Sequence, residues 1–410
     1  MKGGVGGGCG ATCGFPSGRC WASVTTMASR PGVLRSPLDT LKPESLRGAP
    51  GLFRVGQDGA GRWWLVEPDG NRVIGCGVDG VRLAPGGPDE TAAVEQLRDW
   101  SFNVIGPGSA PALRDGGLPF VEALELRRAG DFLFRLGGAR LPDVFDPRWA
   151  AACEELLAGV TSRRDRVGFV TDSDLGWAQA GGAETRPTLL QICLSLDPRF
   201  RAYHAAWEFA LAPYAGDFTQ LARAWNLEGP NKEALRQWTI EDRRIDAPAY
   251  REAHARFSAE FAQRYLRTAG ELVRRYAPGT LLFGPPLPAG LAAGSEAWVD
   301  VRVVTEAAPA GSGPVWRAHF SWVPRAQQVE AGGRLSALER MHREGRAALE
   351  ALLRQPTTVG YFWSEYRAGE RATEAPFGRG LLYEDGLPAM EHVQPLAAIN
   401  RAARSLHGRA

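Results

Sequence analysis

The chain has 410 residues, 44% of them hydrophobic and 23% charged, which is enough apolar material for one large barrel-sized domain or two ordinary ones. Its 48 basic and 46 acidic residues leave a formal net charge of +2, so no electrostatic footprint for nucleic acid or an anionic membrane surface is present. No apolar run reaches the length of a membrane span.

Residues 1 to 45 are rich in Gly, Ser and Pro and have no period, which reads as a disordered leader. Lys2 is followed by no continuous apolar segment, so the stretch lacks the anatomy of an export signal and a cytoplasmic location is expected. Of the six cysteines, Cys9, Cys13 and Cys20 lie in this leader with no histidine nearby. Cys76, Cys153 and Cys193 sit in apolar segments and are expected as buried thiols. There is no CxxC, and neither a metal nor a cofactor is expected.

Order is expected from about Gly51. Leu52–Val55, Trp63–Val66 and Val73–Val78 are short β-prone runs separated by the turn signals Gln57-Asp58-Gly59 and Pro68-Asp69-Gly70-Asn71. Residues 46–72 are therefore assigned to an N-terminal hairpin. Thr91 to Trp100 has the apolar spacing of an amphipathic helix, and Phe102–Gly106 and Pro119–Leu124 read as the next strands. Pro147, preceded by Asp143 and Asp146, is sound chemistry for a helix start. The run from Val167 ends abruptly in Asp172-Ser173-Asp174 and, three residues on, Trp177, as a barrel strand does where it opens into an active site. Long helical patterns follow, from about Phe200 to Trp238 and from Ala249 to about Tyr276. Leu281–Gly284, Val299–Val304, Val315–Phe320 and Thr358–Trp363 are further strands, with a helix from Ala337 to Leu353 between the last two. Strand–helix alternation with right-handed crossovers predicts a parallel sheet.

Several blocks carry a family resemblance. Gly61-Arg62-Trp63-Trp64-Leu65-Val66-Glu67-Pro68-Asp69-Gly70-Asn71, Phe102-Asn103 with Gly106, Pro142-Asp143-Val144-Phe145-Asp146-Pro147 and Gly360-Tyr361-Phe362-Trp363 resemble the corresponding blocks of agarase-like glycoside hydrolases. The stretch Gly168 to Trp177 is similar to that family's fourth strand, Gly-Tyr-Phe-x-Asp-Asn-Glu-x-x-Trp. The resemblance covers residues 50 to 400 in order. It implies an α/β fold, a (β/α)8 TIM barrel over residues 73–410 with a helical insertion after strand four.

It also implies a site. The family's acid/base glutamate falls on Asp174, behind Ser173 in place of asparagine. The nucleophile's block, Pro-Val-x-x-Gly-Glu-Phe, here reads Pro314-Val315-Trp316-Arg317-Ala318-His319-Phe320, so His319 holds the glutamate's place. A retaining glycosidase needs two carboxyl groups about 5–5.5 Å apart, and an inverting one about 6.5–9.5 Å apart. Imidazole cannot form a glycosyl ester or balance oxocarbenium charge as a carboxylate does. Glu365, two residues beyond Trp363 and so on the same face of an extended strand, is the first candidate for a replacement acid, with Glu306 and Asp172 behind it. The candidate catalytic set is thus Asp174, His319 and Glu365, with Asn103, Asp172, Ser173, Trp177 and Trp363 as saccharide-binding candidates. Trp316 alternates away from His319 and is assigned to the core; Asp79, at the end of the first barrel strand, is a further mouth residue. The expected partner is a poly- or oligosaccharide, and nothing in the sequence sets an oligomeric state. Two readings stay open: a saccharide-acting enzyme with an altered site, and a non-catalytic carbohydrate binder or scaffold.

Overall fold

The computed structural model describes residues 40–83, 89–130, 133–136, 139–172, 187–228, 231–241, 243–285, 297–305, 313–322, 333–368 and 380–409. The leader through residue 39, and Ser173, Asp174, Trp177 and Glu306, lie outside the described residues.

Eight parallel strands make the central sheet: β4 (Gly75–Val78), β5 (Val104–Ile105), β6 (Phe120–Ala123), β9 (Arg166–Val170), β10 (Leu281–Phe283), β11 (Arg302–Val304), β12 (Val315–Phe320) and β13 (Thr358–Trp363). Their order, β10-β9-β6-β5-β4-β13-β12-β11, is sequential around a ring. The remaining seam is bridged where Phe283 pairs with Val301, with the Gly284 N–H donating to the Val301 carbonyl at 3.1 Å. The architecture is the expected (β/α)8 barrel, with strands at the expected places.

Three antiparallel strands precede it, β1 (Arg54–Gln57), β2 (Trp63–Val66) and β3 (Arg72–Val73). Phe53, Val55, Trp63 and Leu65 belong to the same buried cluster as the barrel interior, so this small sheet closes the end at which the barrel strands begin. The Trp63 N–H donates to the Pro356 carbonyl at 2.7 Å, just ahead of β13. The packed chain starts earlier than Gly51: Leu41 is buried and bridges Asp58, and the Lys42 N–H reaches the Gln57 carbonyl at 2.8 Å. The final residues of the predicted leader are therefore a strap on β1.

Inside the barrel the space is filled by aromatic rings. Trp316 is fully buried, 4.8 Å from the Phe362 ring and 5.6 Å from Phe283. Room for its indole comes from Gly75 and Gly360, where an added Cβ would stand 2.0 and 2.5 Å from it. The helices are α1 (Glu90–Asp99), α2 (Pro147–Leu157), α3 (Leu189–Ser195), α4 (Arg201–Leu211), α5 (Phe218–Ala224), α6 (Lys232–Ile240), α7 (Pro248–Tyr276), α8 (Gly333–Arg354) and α9 (Met390–Gly408), with α4, α5 and α6 packed on neighbouring helices. Asp89, Asp146, Thr188, Asp217 and Asn231 cap helices by accepting first-turn N–H groups. Cys76, Cys153 and Cys193 are buried free thiols, as expected. No helix among the described residues is long and apolar enough to cross a membrane.

Three features depart from the sequence reading. The pattern from Phe200 to Trp238 is several short helices, broken where Ala215, Gly216 and Asn226 take positive φ. A hairpin of β7 (Leu133–Leu136) and β8 (Ala139–Pro142) precedes α2. Helix α9 runs through Pro395, whose missing N–H disguises it.

Candidate active site

With the β1–β3 sheet packed on one end of the barrel, the mouth is the end at which all eight strands finish. That is where barrel enzymes carry their chemistry, because loops of any sequence can be attached there without disturbing the packed ring. Three consecutive strand ends, those of β12, β13 and β4, each carry polar residues. The Ser364 N–H donates to the Phe320 carbonyl at 3.0 Å, and the Asp79 N–H to the Trp363 carbonyl at 2.9 Å. The sheet thus continues one residue past its named ends and sets His319, Ser364-Glu365 and Asp79 on neighbouring strand exits.

His319 owes its place to a β-bulge. Arg317 pairs with Tyr361 but Phe320 with Trp363, so three steps on β12 face two on β13. His319 takes φ 53°, the left-handed region, at a cost of about 1 kcal/mol for a residue with a Cβ. The extra residue resets the alternation. Ala318 packs in the barrel interior, Phe320 in the outer layer against Tyr361 and Trp363, and half-buried His319 lies between them. Bulges re-aim side chains beside active sites.

Glu365 is 3% exposed and Ser364 5%, so the carboxyl at the end of the eighth barrel strand is enclosed. Asp79 is also buried; its Oδ1 accepts from the Gly108 N–H at 2.6 Å. Gly106 and Gly108 let the loop close on it, since a Cβ at either would come within 2.7 to 2.9 Å of Asp79. The sequence signal for Asp79 was an acid directly after an apolar strand, the same signal that marked Asp172.

Other predicted residues sit elsewhere. Asn103 precedes β5 and lies at the closed side of that strand. Its Oδ1 accepts from the Cys76 N–H at 2.7 Å and its Nδ2 donates to the Ile74 carbonyl at 3.0 Å, so it staples β5 to β4. Trp363 is fully buried in the outer layer, 5.0 Å from the Trp322 ring and 6.3 Å from Phe320, and has no exposed face for a pyranose. Parity on β13 decides this: Phe362 faces the barrel interior, so Trp363 faces the helices. Trp316 is core, as assigned.

Asp172 is fully buried at the exit of β9. It accepts from the Arg127 backbone N–H at 3.1 and 3.3 Å and from the Tyr265 hydroxyl, and burial pushes its carboxyl up to about 7. Tyr265 and Arg127 were not singled out by the sequence reading, since nothing local ties them to a strand so far away in the chain. Among the described residues no group of three or more His, Cys, Asp or Glu side chains is placed to hold a metal ion.

The architecture has known counterparts. No protein-family model and no curated protein matches the chain. Among solved structures it is similar to an agarase, AgWH50C, with a TM-score of 0.65 at 16% identity over 92% of this chain and 68% of that one. An exo-beta-agarase gives 0.63 at 15% identity, covering 92% and 68%. PfGH50B gives 0.64 at 14% identity over 87% of this chain and 66% of the other. The chain therefore spans about two thirds of the length of these relatives. At such identities the likeness establishes the fold.

Proposed function

We propose that the chain is a carbohydrate-acting protein of the agarase-like glycoside hydrolase lineage, with a rebuilt acid pair at the barrel mouth. In this reading Asp174 is the general acid and Glu365 the second carboxylate. What supports it is that Glu365 and His319 lie at the C-terminal ends of adjacent strands, in a barrel fold similar to that of agarases. A carboxyl on the eighth strand answers the loss of the seventh-strand glutamate that the family resemblance assigns to His319. Asp174 would protonate the glycosidic oxygen as the bond breaks. Glu365 would take a proton from the attacking water, and inversion would follow if the two carboxyls stand about 6.5–9.5 Å apart. His319, with a lone pair or a positive charge according to pH, would sit beside that water or the sugar hydroxyls.

The test is release of reducing ends from agarose and other galactans, with product anomers read by proton NMR. Glu365→Gln is expected to lower kcat by about 100-fold or more. Wild-type rates in Glu365→Gln would overturn the assignment of that residue. The second reading, a non-catalytic saccharide binder, is favoured by the imidazole in the nucleophile's place. It predicts galactan affinity that survives Asp174→Ala and no turnover by the unaltered protein.

A further inference from the structure

Two acidic residues among those described, Asp143 and Asp172, are 0% exposed as whole residues. Asp143 is explained by its surroundings. It accepts from the Phe145 and Ala202 N–H groups, the latter at the start of α4, at 3.1 and 3.0 Å. Asp172 has a different setting. Beyond the end of β9 the backbone continues to zip against the segment after β6, with Leu124 N–H to Val170 O at 2.9 Å and Leu126 N–H to Thr171 O at 3.1 Å. The next contact in the series, from the Arg127 N–H, goes to the Asp172 side chain instead of a carbonyl. Glu125 permits that turn by adopting φ 54°.

Two helices clamp the same point. Tyr265 of α7 donates its hydroxyl to Asp172, and its ring stacks on Trp149 of α2 at 5.5 Å and 23°. Trp149 Nε1 in turn donates to the Leu126 carbonyl at 3.0 Å, in the turn that holds Asp172. A buried carboxyl costs stability unless something is gained by keeping it. What it gains here is a fixed exit for one strand, two residues before the acid assigned above.

We infer that Asp172 is a positioning residue: its carboxyl latches the exit of β9 to the Glu125–Arg127 turn and to α7, so that the chain leading to Asp174 leaves the barrel from a fixed point. The inference rests on the proposed function in one respect, the assignment of Asp174 as the acid. The titratable and charged groups facing the latch are Glu125 and Arg127 on the turn, Tyr265 on α7 and Cys153 on α2, with the Arg127 Nε 3.8 Å from the carboxyl. None of these is in the proposed reacting set.

An amide at position 172 retains the latch in outline, accepting from the Arg127 N–H and donating to the Tyr265 oxygen, whereas a methyl group removes it. Two readouts test this on the full chain. In Asp172→Ala, amide exchange at Leu126 and Arg127 is expected to quicken by about tenfold or more relative to the unaltered protein. The kcat for galactan hydrolysis is expected to fall by about 10- to 100-fold with KM held within about twofold, as misplacement of a reacting group does. Asp172→Asn is expected to restore both. Tyr265→Phe, which removes one donor and little volume, is expected to move both readouts in the same direction by less, and serves if the alanine variant does not fold. Unchanged exchange at Arg127 in Asp172→Ala, or changed exchange with unchanged kcat, overturns the inference. Absence of turnover by the unaltered protein, with exchange still responding to Asp172→Ala, instead sinks the hydrolytic reading and leaves only a structural latch.

Discussion

Trp316 lies across Gly75, so close that a Cβ there would stand 2.0 Å from the indole. The pair fills the barrel interior with one large ring where two ordinary side chains would stand. Gly75→Ala is expected to destabilise the fold by about 1–3 kcal/mol through overpacking, and Trp316→Ala by about 3–5 kcal/mol through an unfilled cavity. Because the two residues share one space, the double variant should cost less than the sum. Urea unfolding of the two single variants and the pair measures the coupling, and strict additivity would show that the ring relaxes away from Gly75.

The Asp172 carboxyl gives a pH dependence of stability with a definite sign. Burial raises it to about 7 in the folded protein, against about 3.9 for an unfolded aspartate. The folded state thus holds the proton more tightly. Its stabilising contribution is complete below about pH 4 and is lost as pH rises toward 7. Asp172→Asn cannot titrate. Relative to the unaltered protein, its melting temperature is expected to gain between about pH 4 and 7 and to level off above that. Parallel melting curves at every pH would show that the carboxyl stays ionised in both states.

The barrel was legible because its strands are apolar runs of the right length, alternating with helices at a regular pace. What periodicity could not supply was parity and position within a strand. Phe362 rather than Trp363 faces the interior because Trp316 already occupies the centre, a long-range fact with no local signature. Asn103 stands next to a strand of only two residues, so the choice between its two ends turned on a shift of a few positions. Pro395 masks a long helix, because its missing N–H breaks the usual helical pattern. At the site, Asp79 and Asp172 were visible as acids after apolar runs. Their partners, a glycine N–H on the neighbouring loop and a tyrosine on a distant helix, depend on the closed ring.

Asn103 separates a structural from a binding role. Both ends of its amide are engaged by backbone at or just before β4, so Asn103→Ala strands a donor at Cys76 and an acceptor at Ile74. A loss of about 1–3 kcal/mol in unfolding free energy is expected. Saccharide affinity measured below the melting temperature should be unchanged. A variant of native stability with weakened affinity would return Asn103 to the mouth.

His319 offers the opposite test, a residue whose removal should help the fold and harm the site. Its left-handed backbone is open to glycine without strain, so His319→Gly is expected to raise stability by up to about 1 kcal/mol, offset in part by the greater freedom of the unfolded chain. His319→Ala keeps the strain and removes the same imidazole, so it should match the glycine variant in activity and fall below it in melting temperature. If the imidazole assists at the mouth, both variants lose galactan turnover or affinity alike, although one is the more stable protein. Equal melting temperatures for the two would indicate that the bulge relaxes when the ring is removed. Full activity in both would leave Glu365 and Asp174 to carry the chemistry without it.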